Sequence, residues 1–366
     1  MRFVHRSCLR KEFLAKRQWT RLTCSVCANE FVGEAALELA RLALEWAEAD
    51  WGPADVGALI ARDHLGRLLM SIAGDLQQAE PHLRSALAGL EACLGPGDPE
   101  TLIAASNLGT LLKRRSLFEE AEPLVRRAWQ GSVRARGAEH PETLVFGMNY
   151  AATLRELGRY GEAEPLLRQA LEGLGKQRGE QHPDTLAAAS HLSSLLLHLR
   201  QDLGEAEPLA RRAWEGTLRH FGPEHPRALQ ATADLGILLL ERGRPQEGEP
   251  LLRKALQGLQ AHLGLEHPQA LAVAADLGAA LYAAGRKLEA EAPLRAAWAG
   301  RLRELGEGHL RTAASAHNLG VLLADLRRPR EALPLLRAAW ETRRRRLGPA
   351  HARTLSSASQ LGAALQ

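Results

Sequence analysis

Apolar residues recur along this chain at helical spacing, and the pattern itself recurs. Within residues 140–181, Leu144, Val145, Met148, Tyr150, Ala151, Leu154 and Leu157 mark one amphipathic helix. Ala163, Leu166, Leu167, Ala170, Leu171 and Leu174 mark a second. Between them Leu157-Gly158-Arg159-Tyr160-Gly161 breaks the run, with glycine where a helix C-cap favours it. His140-Pro141 opens the first helix, because proline suits a position whose N–H has no partner anyway. Gly179 closes the second. Pro165 is expected in the first turn of that helix, where it removes no intrahelical bond. The segment predicts an antiparallel helix pair, each helix about 17 residues or roughly 25 Å long.

Copies of the pair fill most of the chain. Small residues stand at Ala79, Ala121, Ala163, Ala206, Gly248, Ala290 and Ala332, and again at Ala86, Ala128, Ala170, Ala213, Ala255, Ala297 and Ala339. Asp98, His140, His182, His225, His267, His309 and His351 open successive units. All three series step by 42 residues, with one step of 43 between 182 and 206. A long fixed period is the signature of stacked repeats. The boundaries read as a basic segment 1–33, a half unit 34–52, seven pairs over about 53–350 and a terminal helix 351–366. The pairs begin near 53, 97, 139, 181, 224, 266 and 308. Gly66, Gly109, Ala151, Ser193, Gly236, Gly278, Gly320 and Gly362 share one place on the first helix. Small side chains there let helices approach closely, and stacking buries the face that a lone pair leaves bare. The expected fold is an all-α, right-handed α-solenoid (superhelix) of antiparallel helix pairs. Leu355, Leu361 and Leu365 of the last helix have no following second helix to cover them.

Gly-Arg-Tyr followed by Ala163, Leu167 and Ala170 resembles the tetratricopeptide repeat. The 42-residue length, with His-Pro-x-Thr-Leu, Asn-x-Ala/Gly and Glu-Ala-Glu-Pro-Leu, is similar to the longer variety of kinesin light chains and nephrocystin-like proteins, over residues 34–366. That resemblance implies a concave groove lined by first helices, in which an asparagine holds the backbone of an extended peptide. It also implies cargo linkage. Attachment to a motor heavy chain is not carried over, because no heptad coiled coil stands in residues 1–33.

A polar column fits that groove. Two residues before the small position come His64, Asn107, Asn149, His191, Asp234, Asp276, Asn318 and Gln360, polar in every copy among apolar neighbours. By the resemblance the peptide-holding role maps most cleanly onto Asn107, Asn149 and Asn318. The alternative is a ladder of hydrogen bonds between adjacent helices that satisfies buried polar groups without a ligand. Further along the helices, charge changes sign: Lys113, Arg114 and Arg155 in early units, Asp234, Glu241, Asp276 and Asp325 in later ones. A groove of that kind orients a peptide with its acidic end toward residues 107–155.

Composition narrows the rest. A net charge of +4, from 47 basic and 43 acidic residues, is too balanced to argue for nucleic acid by itself. A helical-repeat RNA binder needs base-reading side chains on a basic groove, and the acidic later units argue against it. No run reaches transmembrane length, so no membrane partner is expected. Four irregularly placed cysteines suit a reducing, cytoplasmic setting. Seven basic residues against Glu12 in residues 1–22 leave a mitochondrial presequence or a solvated lead-in as alternatives.

No phosphate loop, His-Glu-x-x-His helix or Gly-x-Ser-x-Gly elbow occurs, and no cofactor or enzymatic role is expected. A regulatory fragment of a larger enzyme or signalling protein remains open. The histidine column cannot converge on a metal, since its members stand one repeat apart; each reads as a helix-start residue. Cys24 and Cys27 read as packing residues of a degenerate first helix over 10–30, with redox or metal roles as alternatives. Leu87, Trp129, Leu171, Trp214, Leu256, Trp298 and Trp340 alternate after the second alanine, mainly as packing. Arg343 to Arg346 read as a solvated helix end. What remains is a non-catalytic scaffold or adaptor that binds a protein or peptide segment.

Overall fold

The computed structural model describes residues 33–199 and 203–365. Residues 1–32 lie outside that range, and with them the readings of Cys24, Cys27 and the degenerate helix. Among the described residues run sixteen α-helices and no strand. Helix α1 (Gly33–Trp51) is the half unit. Then come α2 (Val56–Leu68) with α3 (Leu76–Leu94), α4 (Pro99–Arg114) with α5 (Phe118–Arg136), and α6 (Pro141–Glu156) with α7 (Tyr160–Arg178). Next are α8 (Pro183–Leu199) with α9 (Leu203–Phe221), α10 (Pro226–Glu241) with α11 (Pro245–Leu263), α12 (Pro268–Ala283) with α13 (Lys287–Leu305), and α14 (Leu310–Asp325) with α15 (Pro329–Leu347). Helix α16 (Ala352–Ala364) is last, with Leu355 and Leu365 exposed. The helices divide into two compact units, one ending at Gly173 within α7 and the other starting at Leu174.

Local chemistry sets the helix ends. Every first helix from α4 onward starts at an Asp or His whose side chain accepts from the N–H two residues on. Asp98 Oδ1 does so at 2.9 Å, His225 Nδ1 at 3.1 Å and His309 Nδ1 at 3.0 Å. An imidazole that accepts through Nδ1 is neutral, with its proton on Nε2. Helices α4, α6, α10, α12 and α14 are each followed closely by a left-handed residue, glycine at 158, 243 and 285 but Ser116 (φ 55°) and Arg327 (φ 60°) in the other two.

Second helices start earlier than the apolar pattern suggests. Arg159, Arg244, Arg286 and Arg328, just ahead of them, each donate from Nε to a glutamate three residues on, at 2.7 Å in all four. That fork clasps the first turn. It corrects the reading of Pro165: with α7 starting at Tyr160, the ring sits at the sixth helical position, not in the first turn. There it removes the bond its N–H would make four residues back. The same arginines tie α7, α11, α13 and α15 each to the second helix before it, as Arg244 does to Glu207 at 2.8 Å and Arg328 to Glu291 at 2.8 Å.

Packing in each unit follows the small residues. A Cβ on Gly278 would lie 2.5 Å from Leu294 Cγ, and one on Gly320 2.8 Å from Leu336 Cγ, so each glycine is the socket for a leucine of its own pair. A second socket column runs along the second helices. Gly131, Gly173, Gly216, Gly258 and Gly300 receive Leu102, Leu144, Leu186, Leu229 and Leu271. Burying one such leucine contributes about 1.5–3 kcal/mol. Trp129, Trp214, Trp298 and Trp340 are half-buried; on the next first helix Trp129 stacks on Tyr150 at 5.5 Å, and Trp214 Nε1 donates to Thr232 Oγ1 at 3.1 Å.

Candidate functional site

The polar column lies on the first helices, and the two compact units treat it differently. In the first unit, Asn107 Nδ2 donates to Asp63 Oδ2 at 2.7 Å, and Asn149 Nδ2 to Ser106 Oγ at 3.0 Å. Each amide thus reaches the residue just before the column on the preceding first helix. Asp63 is buried, and burial pushes its carboxyl up to about 6, against the pull of Asn107 and Arg67. Lys113, Arg114 and Arg155 are half-buried. Arg114 Nη1 donates to the Met70 carbonyl at 2.8 Å, and Arg155 pairs with Glu156 at 3.0 Å.

In the second unit the ladder begins in the same way and then stops. Asp234 accepts from Ser190 Oγ at 2.8 Å and from Gln230 Nε2 at 2.9 Å. For Asp276 and Asn318 the residues at the partner position are Ala233 and Ala275, which have nothing to offer. Both polar side chains are half-buried, and neither makes a hydrogen bond to another described residue. Burial raises the Asp276 carboxyl to about 6; the positive charge of Arg301 opposes that rise and the negative charge of Asp234 adds to it. His191 is half-buried and Glu241 exposed. Asp325 is held by Tyr282 Oη at 2.7 Å and Lys287 Nζ at 2.9 Å, which keep its carboxyl below the usual range.

Two arginines near the column escape a reading based on helix faces. Arg301 Nη1 donates to Ser315 Oγ and Arg343 Nη1 to Ser357 Oγ, each at 2.7 Å. Arg343 is buried, which corrects the picture of a solvated run: the helical turn points Arg343 inward and Arg344 outward, over Trp340 at 5.3 Å. Burial and the charge of Arg353 bring its guanidinium down to about 10. His317, beside the same serine at 3.4 Å, falls to about 4 through burial and Arg343. The sequence signal was the series Leu90, Ser132, Leu174, Thr217, Leu259, Arg301, Arg343, a core position that turns charged in the last two copies.

Helix pairs of fixed length, clasped at the same turns and keyed through the same sockets, define an all-α solenoid of repeats. Family models of the tetratricopeptide repeat match residues 58–130, 100–172, 142–219 and 227–302, and a second such model matches 312–353. The chain belongs to the tetratricopeptide repeat family. No curated protein matches it by sequence. Among solved structures it is similar to a Rap protein complexed with competence and sporulation factor, at 12% identity, over 98% of this chain and 97% of that one, with a TM-score of 0.60. It is also similar to the Rap conjugation gene regulator of plasmid pLS20 in complex with the Phr* peptide, at 13% identity, 90% and 94% coverage and a TM-score of 0.51. A Podosopora anserina protein of nearly identical TPR-like repeats, described as a kinesin light chain, aligns at 24% identity over 56% of this chain and 97% of that one, with a TM-score of 0.44. Among the described residues no helix is long and apolar enough to cross a membrane.

Proposed function

We propose that the chain is a non-catalytic interaction scaffold that holds a peptide segment against the first helices of its second compact unit. The carrying observation is the pair Asp276 and Asn318, half-buried and without hydrogen-bond partners while Asn107, Asn149 and Asp234 are engaged by neighbouring helices. A polar group withdrawn from water without a partner is unfavourable, and an arriving backbone amide relieves it. Asn318 offers both a donor and an acceptor to an extended backbone, and Asp276 accepts from an N–H or a cationic side chain. The column role suggested by Asn107, Asn149 and Asn318 together is thereby concentrated on Asn318, with Asp276 beside it. The Rap regulator with its Phr* peptide, a protein of the same fold, supports a peptide as the class of ligand. The role of kinesin light chains as cargo adaptors enters only as far as this peptide-holding step.

Affinity capture with the intact chain, an Asp276→Ala/Asn318→Ala variant and an Asn107→Ala/Asn149→Ala variant tests the assignment. Partners lost with the first variant and retained by the second are expected. Partners retained by the first variant would remove Asp276 and Asn318 from the site.

A further inference from the structure

A cleft of about 450 Å³ opens between α13 and α15 over α14, within the size range of ligand-holding pockets and built from other residues than the polar column. Trp298 and Leu335 wall it, Ala313 and Ala338 line it, and Glu307 and Arg330 stand among its lining residues. Sister pairs show what is missing. At the place of Ala338 four of them carry Arg127, Gln169, Arg212 and Lys254, while the other two carry Ser85 and Ala296; at the place of Ala313 five carry Leu102, Leu144, Leu186, Leu229 and Leu271. Arg212 forms an ion pair with Glu180, the turn residue two before its unit's opening histidine, and donates to the Glu180 carbonyl at 3.2 Å. Gln169 reaches Glu139 of its own turn at 3.0 Å. Glu307 occupies the place of Glu180, two before His309, but its pair carries Ala338 where Arg212 stands, and both line the cleft. Its exposed carboxylate has no hydrogen bond or ion pair with any described residue.

We infer that this cleft is the vacated berth of an internal arginine and receives a basic side chain from a partner peptide, an arginine above all, with its cation on Glu307. The aliphatic stem lies against Leu335 and Ala338 and the guanidinium plane over Trp298, as Arg344 lies over the equivalent Trp340 at 5.3 Å. Exposed Arg330 likewise has no hydrogen bond or ion pair with a described residue, and it stands eight residues from Ala338 on α15, about 12 Å along the helix. Glu331, its neighbour, is taken up by Arg295 and Arg328 at 2.7 Å each. One end of the cleft therefore offers a carboxylate and the other a guanidinium. The matching segment carries an acid about four extended residues from its arginine, at about 3.3 Å per residue.

The test is fluorescence anisotropy with a labelled Glu-Ala-Ala-Ala-Arg-amide peptide and the full chain. Saturable binding is expected, weakened about tenfold or more when citrulline replaces arginine, the size of one charge-assisted hydrogen bond. Glu307→Gln should weaken it equally. Ala338→Arg should abolish it by refilling the berth from within, in a fold that already accommodates arginine at 127 and 212. Absence of saturable binding overturns the inference, as does full binding by Glu307→Gln or by a folded Ala338→Arg variant. Loss of the peptide in the Asp276→Ala/Asn318→Ala variant would move it to the column and overturn the inference as well, whereas failure of the column reading leaves it standing.

Discussion

At the start of α10, His225 is both a cap and a pH sensor. His225 accepts from Arg227 N–H only while its Nδ1 is unprotonated. Burial, followed by the charges of Arg227, His262 and His220, holds its pKa below the usual histidine value. Between the folded pKa and the unfolded value near 6.5, the unfolded chain binds more protons, so stability rises with pH there. The cap's contribution is present above about 6.5 and is lost as pH falls from there through the folded pKa. An aspartate does the same task at Asp98, and an ordinary aspartate side chain titrates at about 3.9, below that range. His225→Asp is therefore expected to flatten the decline in melting temperature between about pH 7 and 5.5, measured by calorimetry; an unchanged slope would remove His225 as a contributor. This cap was legible in the sequence because its chemistry is local: His-Pro, then an N–H two residues on. The availability of Asp276 was not, since it depends on Ala233, one whole repeat earlier, having no polar group.

At the scale of the helix, close approach decides which residues a pair accepts. The small position on the first helices was readable as a column, and its partner leucines fell on the expected second-helix face. The second socket column was present in the sequence too, at Gly89, Gly131, Gly173, Gly216, Gly258 and Gly300. Glycine late in a helix is ambiguous without its partner, because it lowers helix propensity and equally well signals a contact. The apolar pattern begins at Ala163, while the Arg159–Glu162 fork starts the helix three residues earlier, and this places Pro165 beyond the first turn. Gly278 and Leu294 make the socket testable. Gly278→Ala places a methyl 2.5 Å from Leu294 Cγ and should destabilise by about 1–3 kcal/mol through overpacking. Leu294→Ala should cost about 2–5 kcal/mol as a buried truncation. The double variant, with room for the new methyl, should lose clearly less than the sum, read from urea denaturation. Strict additivity would mean that the two residues do not share the socket.

At the scale of the whole molecule, contacts within each compact unit run mainly between successive helices and, more thinly, between alternate first helices. Stability in such an array is close to a sum of local terms and nearest-neighbour interfaces, and it fails locally before it fails everywhere. The two compact units, divided within α7, sharpen that expectation. Leu336 is fully buried in α15 and fills the socket at Gly320 of α14. Leu336→Ala should cost about 2–5 kcal/mol, and most of the loss should appear where the socket is. Amide hydrogen exchange is expected to quicken across residues 310–347 and, to a lesser degree, in α13 and α16, while the amides of α4 and α6 keep their protection. The distance over which protection falls then measures how many repeats unfold together. Equal acceleration in α4 and α15 would show one cooperative body instead. In that case a ligand held at Asp276 and Asn318 would stabilise every repeat alike, rather than the second unit alone.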